Sequence, residues 1–177
     1  MSPFARSHYD SGVPGDETFR DVLAANEAYA RAFPHGGLQA RAAEGLAVLT
    51  CIDSRIEPLA MLGLDPGDAK ILRNAGARVT DDVLRGLVLA SHLLGVDRVM
   101  VIAHTNCRMT GTEQDVRAAM RAAGAPDTDE LDFLVTEDQA ESVRTDVELL
   151  RASPYLKHVR IGGFRYDVEN GRLTRLC

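Results

Sequence analysis

The sequence predicts an α/β fold: a mainly parallel central sheet with flanking helices and a C-terminal antiparallel hairpin. Three observations predict it. Short apolar runs alternate with helical patterns from Leu46 to Ala103, the spacing of parallel βαβ units. Polar residues cluster directly after each of those runs, and open α/β sheets bind ligands beyond the carboxyl ends of their strands. The last residues change pattern, with Val159–Val168 and Arg172–Leu176 flanking Asn170-Gly171, which predicts a hairpin with a type I′ turn.

The elements follow in order. Residues 1–15 mix Gly, Pro, Ser and charge and read as an arm. Residues 16–177 then form a single metal-binding α/β domain. Phe19, Val22, Leu23, Asn26, Tyr29, Ala30 and Phe33 lie near a 3.6-residue period, predicting a helix over 16–33 that stops before Pro34. Leu46 to Thr50 reads as a buried strand. Residues 56–62 read as a short helix, Asp65-Pro66-Gly67-Asp68 as a turn, and Ala69 to Leu72 as a second strand. Thr80 suits a helix N-cap, with Asp81 and Asp82 where the helix dipole favours anions. That helix runs through Leu94 and stops at Gly95. Arg98 to Ala103 is a third strand, and helices follow at 112–123 and 138–152.

Composition narrows the function. The chain has 177 residues, of which 45% are hydrophobic and 26% charged, so it can bury a core and is not a disordered chain. A formal net charge of -6 argues against a broad nucleic-acid surface. No apolar run reaches membrane-spanning length. Met1 to Pro14 holds no apolar signal region, so the expected location is cytoplasmic. The three cysteines, Cys51, Cys107 and Cys177, make a poor disulfide framework.

The chemistry concentrates at one predicted sheet edge. Cys51, Asp53 and Arg55 follow the first strand, Arg73 and Asn74 the second, His104 and Cys107 the third. Two thiolates and an imidazole suit zinc, and three protein ligands leave a catalytic position open for water. The spacing is not that of a zinc ribbon, because no second paired motif exists. Asp53 has two possible uses. As a fourth ligand it would close the site in an inactive state; held by Arg55, it would leave the fourth position open and orient a metal-bound hydroxide. Cys177 reads as a free thiol, and His8, His35, His92 and His158 as surface or packing residues.

These residues carry a family resemblance. Cys51-Ile-Asp53-Ser-Arg55 resembles the C-x-D-x-R signature of β-class carbonic anhydrases, and His104-Thr-Asn-Cys107 resembles their H-x-x-C. Arg73-Asn-Ala-Gly76 is similar to their R-N-A-G segment. The resemblance spans roughly Leu46 to Met109, and the compact length is similar to the short bacterial members. It implies Zn2+ on Cys51, His104 and Cys107, an Asp53–Arg55 dyad, and reversible hydration of carbon dioxide to bicarbonate and a proton. It also implies a homodimer, with the N-terminal helix embracing the partner and further assembly into tetramers in some members. Arg108 stands where many members have glycine; it could narrow the entrance, hold an anion or point to solvent. Two other functions fit the same residues. One is hydrolysis of carbonyl sulfide or carbon disulfide. The other is a non-catalytic zinc or redox sensor with a Cys51–Cys107 disulfide on metal loss, which has no need of the Asp53–Arg55 pair.

Overall fold

A computed structural model describes residues 18–177; the expected arm at 1–15 and His8 lie outside them. The described residues divide into two units, one ending at Gly37 and the other spanning Leu38–Cys177. The first contains α1 (Arg20–Arg31), which ends before Pro34 and buries none of its residues. Phe19, Val22, Leu23, Tyr29 and Phe33 are all at least half exposed. The rings of Tyr29 and Phe33 meet edge to face, 5.4 Å between centroids.

The second unit holds a five-stranded sheet in the order β2-β1-β3-β4-β5. Its elements are β1 (Leu46–Cys51), β2 (Ala69–Asn74), α2 (Asp81–Leu93), β3 (Arg98–His104), α3 (Glu113–Ala122), α4 (Gln139–Ala152), β4 (Arg160–Tyr166) and β5 (Leu173–Arg175). The first four strands in that order run parallel, and β5 pairs antiparallel with β4. Every residue of β1 is buried, as a continuous apolar run covered on both faces should be. One sheet face packs Ala47, Leu49, Val99 and Val101 against Val83, Leu87 and Ala90 of α2 and Val143, Val147 and Leu150 of α4. The other gathers Leu46, Val48 and Ile102 with Met61, Leu62 and Leu64.

Local chemistry sets the helix starts. Thr80 caps α2 by accepting the Val83 N–H. Thr112 and Asp115 form a reciprocal capping box on α3, and Asp138 accepts the Ala140 and Glu141 N–H groups at α4.

Two expectations need correction. The helix expected over 56–62 is a single 3-10 turn, Ala60–Leu62. The C-terminal hairpin forms, but without a type I′ turn. Register pairs Tyr166 with Leu173, leaving a six-residue connection from Asp167 to Arg172. Gly171 has φ +73°, whereas Asn170 is not left-handed, and a type I′ turn needs both residues so. The Asp167 carboxylate decides this: it accepts from the Glu169 N–H and the Asn170 side-chain amide. Such side-chain capture of nearby donors competes with tight backbone turns.

A buried ion pair braces the sheet edge against α4. Arg78 Nε and Nη2 donate to the two Asp146 carboxylate oxygens at 2.8 and 3.2 Å. Arg78 Nη1 also donates to Leu134 O, and the Val79 N–H donates to Asp146 Oδ2. Only 5% of the Asp146 side chain is exposed. Asp146→Ala should therefore lower unfolding free energy by about 3–5 kcal/mol, the usual cost of leaving a buried charge unpaired. Urea denaturation measures this, and a loss below 1 kcal/mol would show that Arg78 finds solvent instead.

Candidate metal centre

Parallel register places the ends of β1 and β3 side by side, with Thr50 opposite Ile102. Cys51 closes β1, His104 closes β3, and Cys107 follows after a tight loop. Asn106 turns that loop with φ +54°, a conformation Asn tolerates better than most residues. Cys51, His104 and Cys107 are all buried, and their ligand atoms lie within 4.8 Å of one another. No other group of three or more His, Cys, Asp or Glu among the described residues has this arrangement.

The donors fit a soft divalent ion. The Cys51 and Cys107 sulfurs are 4.0 Å apart; two Zn–S bonds of about 2.3 Å at a tetrahedral angle span roughly 3.8 Å. The His104 Nδ1 lies 2.8 Å from Thr105 O. A carbonyl only accepts, so Nδ1 carries the proton and Nε2 keeps its lone pair. Nε2 is also the one buried side-chain nitrogen or oxygen among the described residues with no partner. Orphaned groups of this kind are expensive unless a ligand completes them. Fixing the tautomer through the far nitrogen is how metal-bound histidines are oriented.

Charge in the cluster points the same way. The Cys51 thiol is acidified, foremost by a hydrogen bond from Cys107; burial opposes this, and His104 and the Gly76 N–H add to it. Cys107 is pushed up, by that same shared hydrogen bond and then by burial. For His104 burial, the largest influence, favours the neutral ring, but the Cys51 sulfur and the Asp53 charge outweigh it and raise its pKa. Binding a cation here would release protons, because thiol and imidazole ligands must be deprotonated to donate to a metal.

Asp53 sits beside the donors. Its Oδ2 is 3.8 Å from His104 Nε2. Arg55 grips the carboxylate at both oxygens, with Nε donating to Oδ1 at 2.9 Å and Nη2 to Oδ2 at 2.7 Å. The Arg55 backbone N–H adds a third bond to Oδ1. This grip holds the Asp53 carboxyl well below the usual carboxylate range. Arg55 Nη2 also donates to Asn106 O, tying the dyad to the loop that carries Cys107.

The remaining sequence candidates fall into place. Arg73 reaches under the first loop, donating to Cys51 O at 2.9 Å and Asp53 O at 2.6 Å. Asn74 bonds the Arg78 backbone at both its carbonyl and its N–H. Arg108 is exposed and lines a groove with Cys107, Thr110, Asp115 and Val116. His92 and His158 meet each other at the surface, ring centroids 4.8 Å apart, away from the cluster. Cys177 is a free, half-buried thiol. Sequence spacing missed the backbone donors: the Gly76 N–H lies 3.4 Å from Cys51 Sγ, and the Met109 N–H 3.4 Å from Cys107 Sγ.

Fold and donor set together define an α/β metalloprotein with its site at the carboxyl edge of a parallel sheet. Comparison with known proteins narrows that class. The carbonic anhydrase family model matches residues 46–130. Beta-carbonic anhydrase 1 of Mycobacterium tuberculosis is 34% identical over 164 residues, covering 88% of this chain and 96% of the relative. The crystal structure of a carbonic anhydrase from Streptococcus mutans superposes with a TM-score of 0.82 at 38% identity, covering 90% of this chain and 97% of that one. A carbon disulfide hydrolase of an Acidianus strain is 34% identical over 153 residues, covering 72% of this chain and 75% of the relative. The chain belongs to the β-carbonic anhydrase family. Zinc is the metal of that family, and Cys51, His104 and Cys107 are positioned to bind it.

Proposed function

We propose that this protein catalyses the reversible hydration of carbon dioxide to bicarbonate and a proton, with zinc held by Cys51, His104 and Cys107 and with Asp53 and Arg55 as the catalytic pair. The observation that carries the proposal is the two-pronged grip of Arg55 on Asp53, which turns the carboxylate beside the donor cluster. Zinc supplies the Lewis acidity that makes water a nucleophile near neutral pH.

The rest belongs to the chain. Asp53 stays ionised, so it acts as a pure hydrogen-bond acceptor. Arg55 occupies part of each of its oxygens and leaves lone pairs on Oδ2 facing His104. From there Asp53 would accept a hydrogen bond from the reacting water and so turn a lone pair of the water oxygen toward the substrate carbon. Ile56, Met61, Met109 and Tyr166 pack around the two cysteines, giving an apolar wall suited to a substrate without charge or dipole. The water must lose a proton to react, and thiolate donors make this harder than imidazoles do, so activity should rise with pH.

Stopped-flow hydration of carbon dioxide from pH 7 to 9, with zinc quantified, tests the proposal. We expect turnover that increases across this range in zinc-loaded protein. Full zinc occupancy with no hydration at any pH would overturn it. The similarity to a carbon disulfide hydrolase favours one second reading, hydrolysis of carbon disulfide at the same site. Hydrogen sulfide release from carbon disulfide, without carbon dioxide hydration, would establish that reading instead.

The assembly we propose is a homodimer. It is supported by α1, on and beside which Phe19, Val22, Leu23, Tyr29 and Phe33 are at least half exposed among the described residues. Light scattering should return twice the chain mass, and a monomer at micromolar concentration would refute it. No helix among the described residues is long and apolar enough to cross a membrane. The reducing cytoplasm suits two thiolate ligands, and we place the protein there.

A further inference from the structure

We propose that Asn74, Arg78 and Asp146 form a clasp that positions the Gly76 N–H on the Cys51 sulfur and so tunes how strongly that sulfur donates to the metal. The inference rests on the zinc reading above and extends it to residues that touch neither metal nor substrate.

The clasp is built around a loop that would not hold itself. Gly76 has φ +79° and Ala77 φ +59°. Left-handed backbone at a non-glycine residue persists only where its surroundings enforce it, and Ala77 is 1% exposed. Asn74 closes the loop from inside: its Nδ2 donates to Arg78 O at 2.7 Å, and its Oδ1 accepts the Arg78 N–H at 2.8 Å. Arg78 then anchors the loop from outside through the Asp146 carboxylate and Leu134 O. Asp146 stands on α4 between the core residues Val143 and Val147, so the anchor is as rigid as the core.

A buried ion pair is a poor source of net stability, since desolvation offsets most of its attraction. Its expense is better explained by what it places. The loop it closes carries at its centre the Gly76 N–H, 3.4 Å from Cys51 Sγ. Gly76 is also crowded: a Cβ there would meet Met109 Cβ at 3.3 Å, so the loop packs tightly on the segment that donates the second N–H, to Cys107. A hydrogen bond to a thiolate draws charge from sulfur. The metal then receives less of it and remains a stronger Lewis acid. Outer partners of metal ligands typically change metal affinity or activity 10–100-fold when lost.

The test uses the full chain loaded with Co2+, whose sulfur-to-metal charge-transfer absorption reports thiolate donation directly. Asp146→Asn and Asn74→Ala are compared with the unaltered protein, each checked for folding by thermal melt. Loss of the N–H bond raises the energy of the sulfur electrons. The charge-transfer band should therefore move to longer wavelength in both variants. A clasp that only stabilised the fold would lower the melting temperature and leave the band of the folded, loaded protein where it was; that result overturns the proposal. Should Asp146→Asn not fold, the half-buried Asn74 decides the matter alone. A band absent from the unaltered Co2+ protein would remove Cys51 from the metal and refute the zinc reading itself, which is a different outcome from a band that is present and unmoved.

Discussion

A Cys107→Ser variant will purify with little zinc and will hydrate carbon dioxide no faster than buffer. Three side chains supply the donor atoms of the cluster, and no other His, Cys, Asp or Glu among the described residues shares that arrangement with them. The one carboxylate nearby, Asp53, is already gripped at both oxygens by Arg55. A serine hydroxyl does not ionise near neutral pH, so the site loses both a charge and a soft ligand. Structural zinc sites bind with about 10–16 kcal/mol over four ligands. One ligand is thus worth about 2.5–4 kcal/mol, a loss in affinity of roughly 60- to 800-fold. Metal analysis of the dialysed variant measures this. Cys177→Ser is the control and should keep full zinc, because that thiol lies apart from the donor cluster. Unchanged zinc in Cys107→Ser would remove Cys107 from the centre.

Arg55→Ala should separate metal binding from catalysis. Zinc content should stay near one per chain, while kcat/KM falls about 100- to 1,000-fold, the usual effect of removing one pre-organised polar group from a transition state. The reason is the position of Asp53. With Arg55 gone, three hydrogen bonds to its carboxylate shrink to the one from the residue 55 backbone. Its Oδ2, 3.8 Å from His104 Nε2, is then free to approach the metal and take the position reserved for water. Arg55→Lys should not restore activity, since an ammonium cannot bond both carboxylate oxygens in one plane. Full activity in Arg55→Ala would show that Asp53 holds its orientation without the dyad.

Much of this architecture was legible in the residues. The buried run at Leu46–Thr50, the Thr80 cap and the helix stop at Gly95 follow from local rules: apolar continuity, a hydroxyl before acidic residues, glycine after a helix. The arrival of Cys51, His104 and Cys107 at one edge followed from parallel strand order. What the residues did not disclose depends on partners distant in the chain. The type I′ expectation at Asn170-Gly171 failed because the Asp167 side chain captured nearby donors. The 56–62 helix shrank to one turn. The Arg78–Asp146 pair joins residues 68 apart in sequence, and no local pattern marks it.

The amino-acid sequence by itself determined the chemistry of this protein: which atoms can bind a metal, that they number three, and that a carboxylate and a guanidinium follow two and four residues after the first. Those are matters of composition and order along a strand that ends where its apolar run ends. Only the tertiary structure decided what the atoms do. It left His104 Nε2 buried and unpaired by fixing Nδ1 on Thr105 O, and it turned Asp53 toward Arg55 while leaving Oδ2 beside the histidine. The physical reason is that a hydrogen bond depends on tenths of an ångström and tens of degrees. Contacts made across the whole sheet set such geometry, and spacing in the chain does not.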